Sequence, residues 1–199
     1  MEGEADPRPD STTQAHKEEG VTMWRTEPWL KAEVPGTRKA RVLEKPGLAA
    51  SMLKRADRVL MIVGHRVSET LSDRPVSDYV AEIAEALNAH IATTSLAYRS
   101  FRERGLTVAW LSPIEAAHRV TDPDWMGLDG KGCYKAVVVM GLPYYMSWLI
   151  FSGLKNFAMN VRTVSLDRFY QPHASWSLRN LTTEEWEKFL DELVEKLKA

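Results

Sequence analysis

The turn Gly64-His65-Arg66-Val67-Ser68 follows an apolar, β-branched run, where backbone amides, an imidazole and a guanidinium could meet an anion. An orthodox dinucleotide fingerprint would read G-x-G-x-x-G at this point, and the turn offers the single glycine Gly64. A nucleotide could still be held there by backbone amides, hydroxyls and Arg66. The ends of neighbouring strands would add Thr94, Ser95, Gly141 and Asp167 to Gly64, His65 and Arg66, with Asp167 accepting ribose hydroxyls. Ordinary turn chemistry accounts for the same residue types. His65 has the position of a general base, but a hydrogen-bonded turn histidine is the expectation. Cys133, the one cysteine in the chain, lies in GKGCYK and is expected to be a partly buried thiol. One thiolate cannot hold an iron–sulfur cluster, which needs about four, and the five histidines are scattered without a metal-binding pair. No catalytic residue and no metal ligand is assigned.

A second segment stands out by composition. TDPDWMGLDGKGCY, residues 121–134, combines three aspartates with Trp125 and several turn formers. Asp122 before Pro123 suits turn initiation, and Asp129-Gly130 suits a tight turn. An oxygen-only Ca²⁺ loop from Asp122, Asp124 and Asp129 lacks EF-hand spacing and the bidentate glutamate. A rigid loop presenting Trp125 is the simpler expectation.

Strand and helix patterns alternate behind these residues. Residues 58–64, 90–95, 107–112, 135–141 and 161–167 read as strands. Helical periods run over 46–56, 76–88, 112–120, 144–158 and the C-terminal segment. There Thr182 and Glu185 form a capping box ahead of a stripe of Trp186, Phe189, Leu190, Leu193, Val194 and Leu197. Such alternation predicts an α/β, doubly wound, mostly parallel five-stranded Rossmann-like sheet of order near 3-2-1-4-5. Gly64 and Gly141 would then end adjacent central strands at the crevice. The apolar helix 144–158, with Tyr145, Trp148, Leu149 and Phe151, is expected to bury about half its apolar residues on the sheet and offer the rest to a partner.

Residues 1–20 read as a disordered tail, 21–36 as an extended arm carrying Trp24 and Trp29, and 37–199 as a single domain. The arm's tryptophans either pack on the domain or anchor it to a partner, as Trp125 and Trp148 would. Acidic and basic residues number 27 and 26, so the surface has no bulk attraction for nucleic acid or anionic membrane. The opening MEGEADPRPD is unlike a secretory leader, and no apolar run reaches the ~18–20 residues of a membrane span. A cytoplasmic protein is expected.

The run TDPDWMGLDGKGCY, the strand ending MGLPYY, the helix reaching LKNF and the segment VRTVSLDRFY resemble the epsilon subunits of archaeal acetyl-CoA decarbonylase/synthase, the carbon monoxide dehydrogenase assembly. The likeness covers about residues 21–199 and is densest over 121–170. The resemblance implies a fold similar to the NAD/FAD-binding domains of deoxyhypusine synthase and sirtuin type. It implies a non-catalytic subunit pairing with a large alpha subunit, two of each, in reversible cleavage and synthesis of acetyl-CoA. The nickel–iron and iron–sulfur clusters would lie in alpha, and this chain would stabilise alpha or assist electron transfer to FAD. The alternatives at this level are self-association, and a free-standing FAD- or NAD-binding redox accessory or enzyme.

Overall fold

A computed structural model of the chain describes residues 38–199; the tail, the arm, Trp24 and Trp29 lie outside the described residues. The chain runs through β1 (Arg41–Val42), α1 (Pro46–Lys54), β2 (Val59–Val63), α2 (Val76–Leu87), β3 (His90–Thr93), α3 (Tyr98–Glu103) and β4 (Val108–Trp110). It continues through α4 (Pro113–Thr121), β5 (Ala136–Met140), α5 (Tyr144–Phe157), β6 (Arg162–Ser165), β7 (Trp176–Ser177) and α6 (Thr183–Lys198). The strands form one seven-stranded sheet in the order β1-β7-β6-β5-β2-β3-β4, with every pairing parallel.

The five strands legible in the sequence take the expected order, β4-β3-β2-β5-β6. The two additional strands extend the β6 edge, and each is two residues long. So short a strand carries no hydrophobic period, which is why the sequence expectation stopped at five. Helix α3 was also absent from that reading; its six residues bury only Phe101.

Alternation along the central strands divides the core in two. Met61, Val63, Val138, Met140 and Val164 face α1, α2 and α6, whereas Leu60, Ile62, Val137 and Val139 face α4 and α5. Both faces are covered, so β2 and β5 are buried along their whole length. The whole apolar stripe of α6 is buried. Its start is fixed by the capping box: Thr182 Oγ1 accepts from the Glu185 amide at 3.2 Å, and Glu185 accepts from the Thr182 amide at 2.8 Å. Such a cap contributes about 1 kcal/mol. Helix α5 divides as expected, burying Ile150, Phe151 and Leu154 while Tyr145, Leu149 and Phe157 stay exposed.

Candidate functional site

The carboxyl ends of β2, β5 and β6 meet at the crevice where an open α/β sheet usually receives a ligand. Gly64 and Gly141 lie side by side there, but the space between them is closed. The Gly64 amide donates to Met140 O at 2.9 Å, and the Arg66 amide donates to Gly141 O at 2.9 Å. A β-carbon on Gly64 would stand 2.1 Å from Gly141 O, and one on Gly141, whose φ is +76°, would stand 2.4 Å from Val67. Both positions therefore need glycine so that two backbones can pack together. The residues after Gly64 close into a short 3-10 turn, His65–Ser68, whose Val67 plugs the gap.

What remains is a cleft of about 30 Å³ lined by Arg66, Glu69, Gly141, Asp167, Gln171 and Trp186, among others. Ligand sites for cofactor-sized molecules occupy roughly 300–1,000 Å³, so the cleft as folded is well below that size. Of the seven residues read from the sequence, the fold brings Arg66, Gly141 and Asp167 to this cleft. His65 is exposed beside it. Thr94 is exposed, and Ser95 is buried in an internal chain in which Thr93 Oγ1 stands 2.9 Å from its hydroxyl and 2.8 Å from Val63 O. Glu69, Gln171 and Trp186 join Arg66, Gly141 and Asp167 in the lining; nothing in their spacing links them to Gly64, and Trp186 shows in the sequence only as part of the α6 stripe.

Asp167 is the strongest electrostatic feature of the cleft. Its Oδ1 accepts from the Gly141 amide at 2.7 Å. Burial raises its pKa to about 7, and the Gly141 hydrogen bond and the Arg66 charge offset only part of that. Arg66 itself is committed to Glu69, with Nε at 2.8 Å from the carboxylate. Because the folded-state pKa lies above the ordinary 3.8, the folded protein holds a proton that the unfolded chain releases between those values. Stability from this group is full below about pH 4 and is lost as pH rises through 7. Asp167→Asn keeps the acceptor oxygen and removes the charge. It is expected to stabilise the protein by about 2 kcal/mol at pH 8, discounted for the solvent that still reaches the side chain, and to lose that advantage towards pH 4. Urea titrations across pH check this; a difference independent of pH would contradict it.

At the opposite end of the sheet, the aspartate-rich loop is tied down from within. Asp129 takes both guanidinium nitrogens of Arg58 at 2.5 and 3.2 Å, which holds its carboxyl well below the usual range. The Arg58 guanidinium lies 5.2 Å from the centre of the Tyr134 ring. The Tyr134 hydroxyl accepts from the Leu128 amide at 3.1 Å and stands 2.6 Å from His90 Nδ1. Trp125 is half-buried with its ring 5.5 Å from that of Tyr134, so it packs in its own domain while keeping one edge in solvent. Asp122 caps its own turn by accepting from the Asp124 amide at 2.9 Å. Among the described residues, no three metal-ligating side chains converge. Cys133 is exposed rather than partly buried, at 3.4 Å from Trp125 O. Trp148 is half-buried, its ring 4.6 Å from that of the buried His173. The Arg58–Asp129–His90–Tyr134 cluster had no signal in the sequence, since its members lie on different segments and meet only when parallel strands align their amino ends.

No helix among the described residues is long and apolar enough to cross a membrane. Over residues 23–195 the chain matches the family described as CO dehydrogenase beta subunit/acetyl-CoA synthase epsilon subunit. It is 35% identical over 156 residues to subunit epsilon 1 of the acetyl-CoA decarbonylase/synthase complex of Archaeoglobus fulgidus, covering 76% of this chain and 80% of the relative. The epsilon 1 subunit of Methanosarcina barkeri is 33% identical over 153 residues, covering 76% and 86% respectively. The epsilon subunit of Methanothermobacter thermautotrophicus is 27% identical over 166 residues, covering 83% and 93%.

Proposed function

The chain belongs to the CO dehydrogenase beta subunit/acetyl-CoA synthase epsilon subunit family, and from that premise we propose that it is the accessory epsilon subunit of an acetyl-CoA decarbonylase/synthase complex. In this reading it pairs with the large alpha subunit as two alpha and two epsilon chains. Alpha carries the nickel–iron and iron–sulfur clusters, and this chain is not catalytic by itself. The observation that carries the proposal is the extent of the family match, which runs from residue 23 to residue 195, within α6. A single cysteine in 199 residues supports placing the clusters in the partner.

Of the two roles open to such a subunit, stabilising alpha is the one we propose. The cleft at Asp167, where the strand ends would place a flavin, is smaller than a flavin site, which favours the stabilising role. In that role the chain presents a surface to alpha. The exposed edge of Trp125, the half-buried Trp148 and the outer face of α5 with Tyr145 and Leu149 are the described residues suited to it.

Co-expression with the cluster-bearing subunit provides the test. The two chains are expected to co-purify through size-exclusion chromatography as one species, and the large subunit to lose CO oxidation activity faster on warming when expressed alone. Separate elution of two soluble, folded chains would refute the assembly. Flavin co-purifying in stoichiometric amount with this chain would refute the stabilising role in favour of electron transfer.

A further inference from the structure

A second cavity lies away from the Asp167 cleft, at the amino ends of β6, β7 and β1. Its volume is about 610 Å³, and its lining includes Arg38, Lys39, Arg41 and Lys155 above an apolar wall containing Trp176 and Met159. No aspartate or glutamate is among its described lining residues.

Arg58, Arg66, Arg74, Arg104, Arg119 and Arg179 each stand within salt-bridge distance of a carboxylate. Among the described residues, Arg38, Lys39 and Arg41 have no such neighbour, as is also true of Arg55, Arg99, Arg102 and Arg162, but these three stand around one concavity. Lys155 donates to the Arg38 carbonyl, and burial together with the nearby Arg38 charge lowers its pKa. Arg41 lies 5.4 Å from the centre of the Trp176 ring, which fixes a guanidinium at the pocket edge. Like charges around one concavity repel one another, and a bound anion removes that repulsion.

We propose that this pocket binds a phosphate-bearing small molecule of nucleotide size, with its phosphates on Arg38, Lys39 and Arg41 and its ring system on the Trp176–Met159 wall. The volume lies within the range of about 300–1,000 Å³ typical of such ligands. Guanidinium and ammonium groups are the usual partners of phosphate oxygens. The site is independent of the subunit assignment.

Isothermal titration of the full chain with ATP, and with adenosine as the uncharged control, tests the proposal. ATP is expected to bind and adenosine to give no heat. ATP affinity should fall at least about tenfold in the Lys39→Glu/Arg41→Glu double variant, since two charge-assisted contacts are reversed. Both side chains are exposed, so this variant should keep the wild-type melting temperature. The Arg66→Ser variant, altered at the other end of the sheet, should bind ATP like the wild type. Absence of ATP binding overturns the proposal, as does binding that the double variant leaves intact. Sensitivity to Arg66→Ser alone would move the ligand to the Asp167 cleft and overturn it too. A double variant that merely stops co-purifying with the large subunit, in a chain blind to ATP, would make the pocket a seat for an acidic protein segment and equally refute a small-molecule site.

Discussion

Gly64→Ala is expected to lower the melting temperature by about 10 °C, the equivalent of about 3–5 kcal/mol in a domain of this size. The added methyl would sit 2.1 Å from Gly141 O and 2.6 Å from both Gly141 C and a Leu142 methyl. Two of those three atoms are backbone, in the segment that ends β5, and β5 pairs with β2 along its whole length. Relief therefore requires the two central strands to part at their carboxyl ends, taking with them the Gly64–Met140 and Arg66–Gly141 hydrogen bonds. Gly153→Ala provides the control. Gly153 lies inside α5 with open space around it, so the same substitution should stabilise by about 0.5–1 kcal/mol through helix propensity. Differential scanning calorimetry of the two variants decides the matter. Equal, small shifts would mean that the crevice glycines do not set the strand spacing.

Trp186→Ala is expected to cost about 3–5 kcal/mol in urea unfolding, the range for losing a large buried aromatic. Trp186 is 6% exposed in the first turn of α6, and its indole nitrogen donates to Leu166 O at 2.8 Å. It thereby fastens the C-terminal helix to the end of β6 beside the Asp167 cleft, which it lines. Removal would lose the packing, orphan the Leu166 carbonyl and enlarge the cleft into a real cavity. Trp186→Phe separates these effects, keeping most of the volume and losing the hydrogen bond, for an expected loss of about 1–2 kcal/mol. If Phe proved as damaging as Ala, the hydrogen bond rather than the packing would be what holds α6. The enlarged cleft of the alanine variant should still fail to bind FAD, because Val67 and the paired glycines continue to block the crevice.

Much of the architecture was readable from periodicity. The burial of β2 and β5 on both faces, the stripe of α6 and its Thr182–Glu185 cap are all written in local residue order. So was the order of the five long strands, since parallel strands with helical crossovers leave few arrangements open. Strands β1 and β7 were not readable, because two residues cannot display an alternation, and their pairing is decided by the edge of β6 that they cover.

The candidate site divides in the same way. Which residues end the strands is legible from local order: Gly64, Gly141 and Asp167 are where the pattern put them. The sequence by itself also determined family membership, which the match over residues 23–195 shows. The fold alone makes the two glycines close the crevice, lets burial raise the pKa of Asp167, and sets Arg58 against Asp129. It alone gathered Arg38, Lys39, Arg41 and Lys155 around one cavity. The physical reason is range. Periodicity and capping act over a few residues and are visible in one dimension. Close packing, desolvation and charge pairing depend on distances between segments far apart in the chain, and those distances exist only once the sheet has formed.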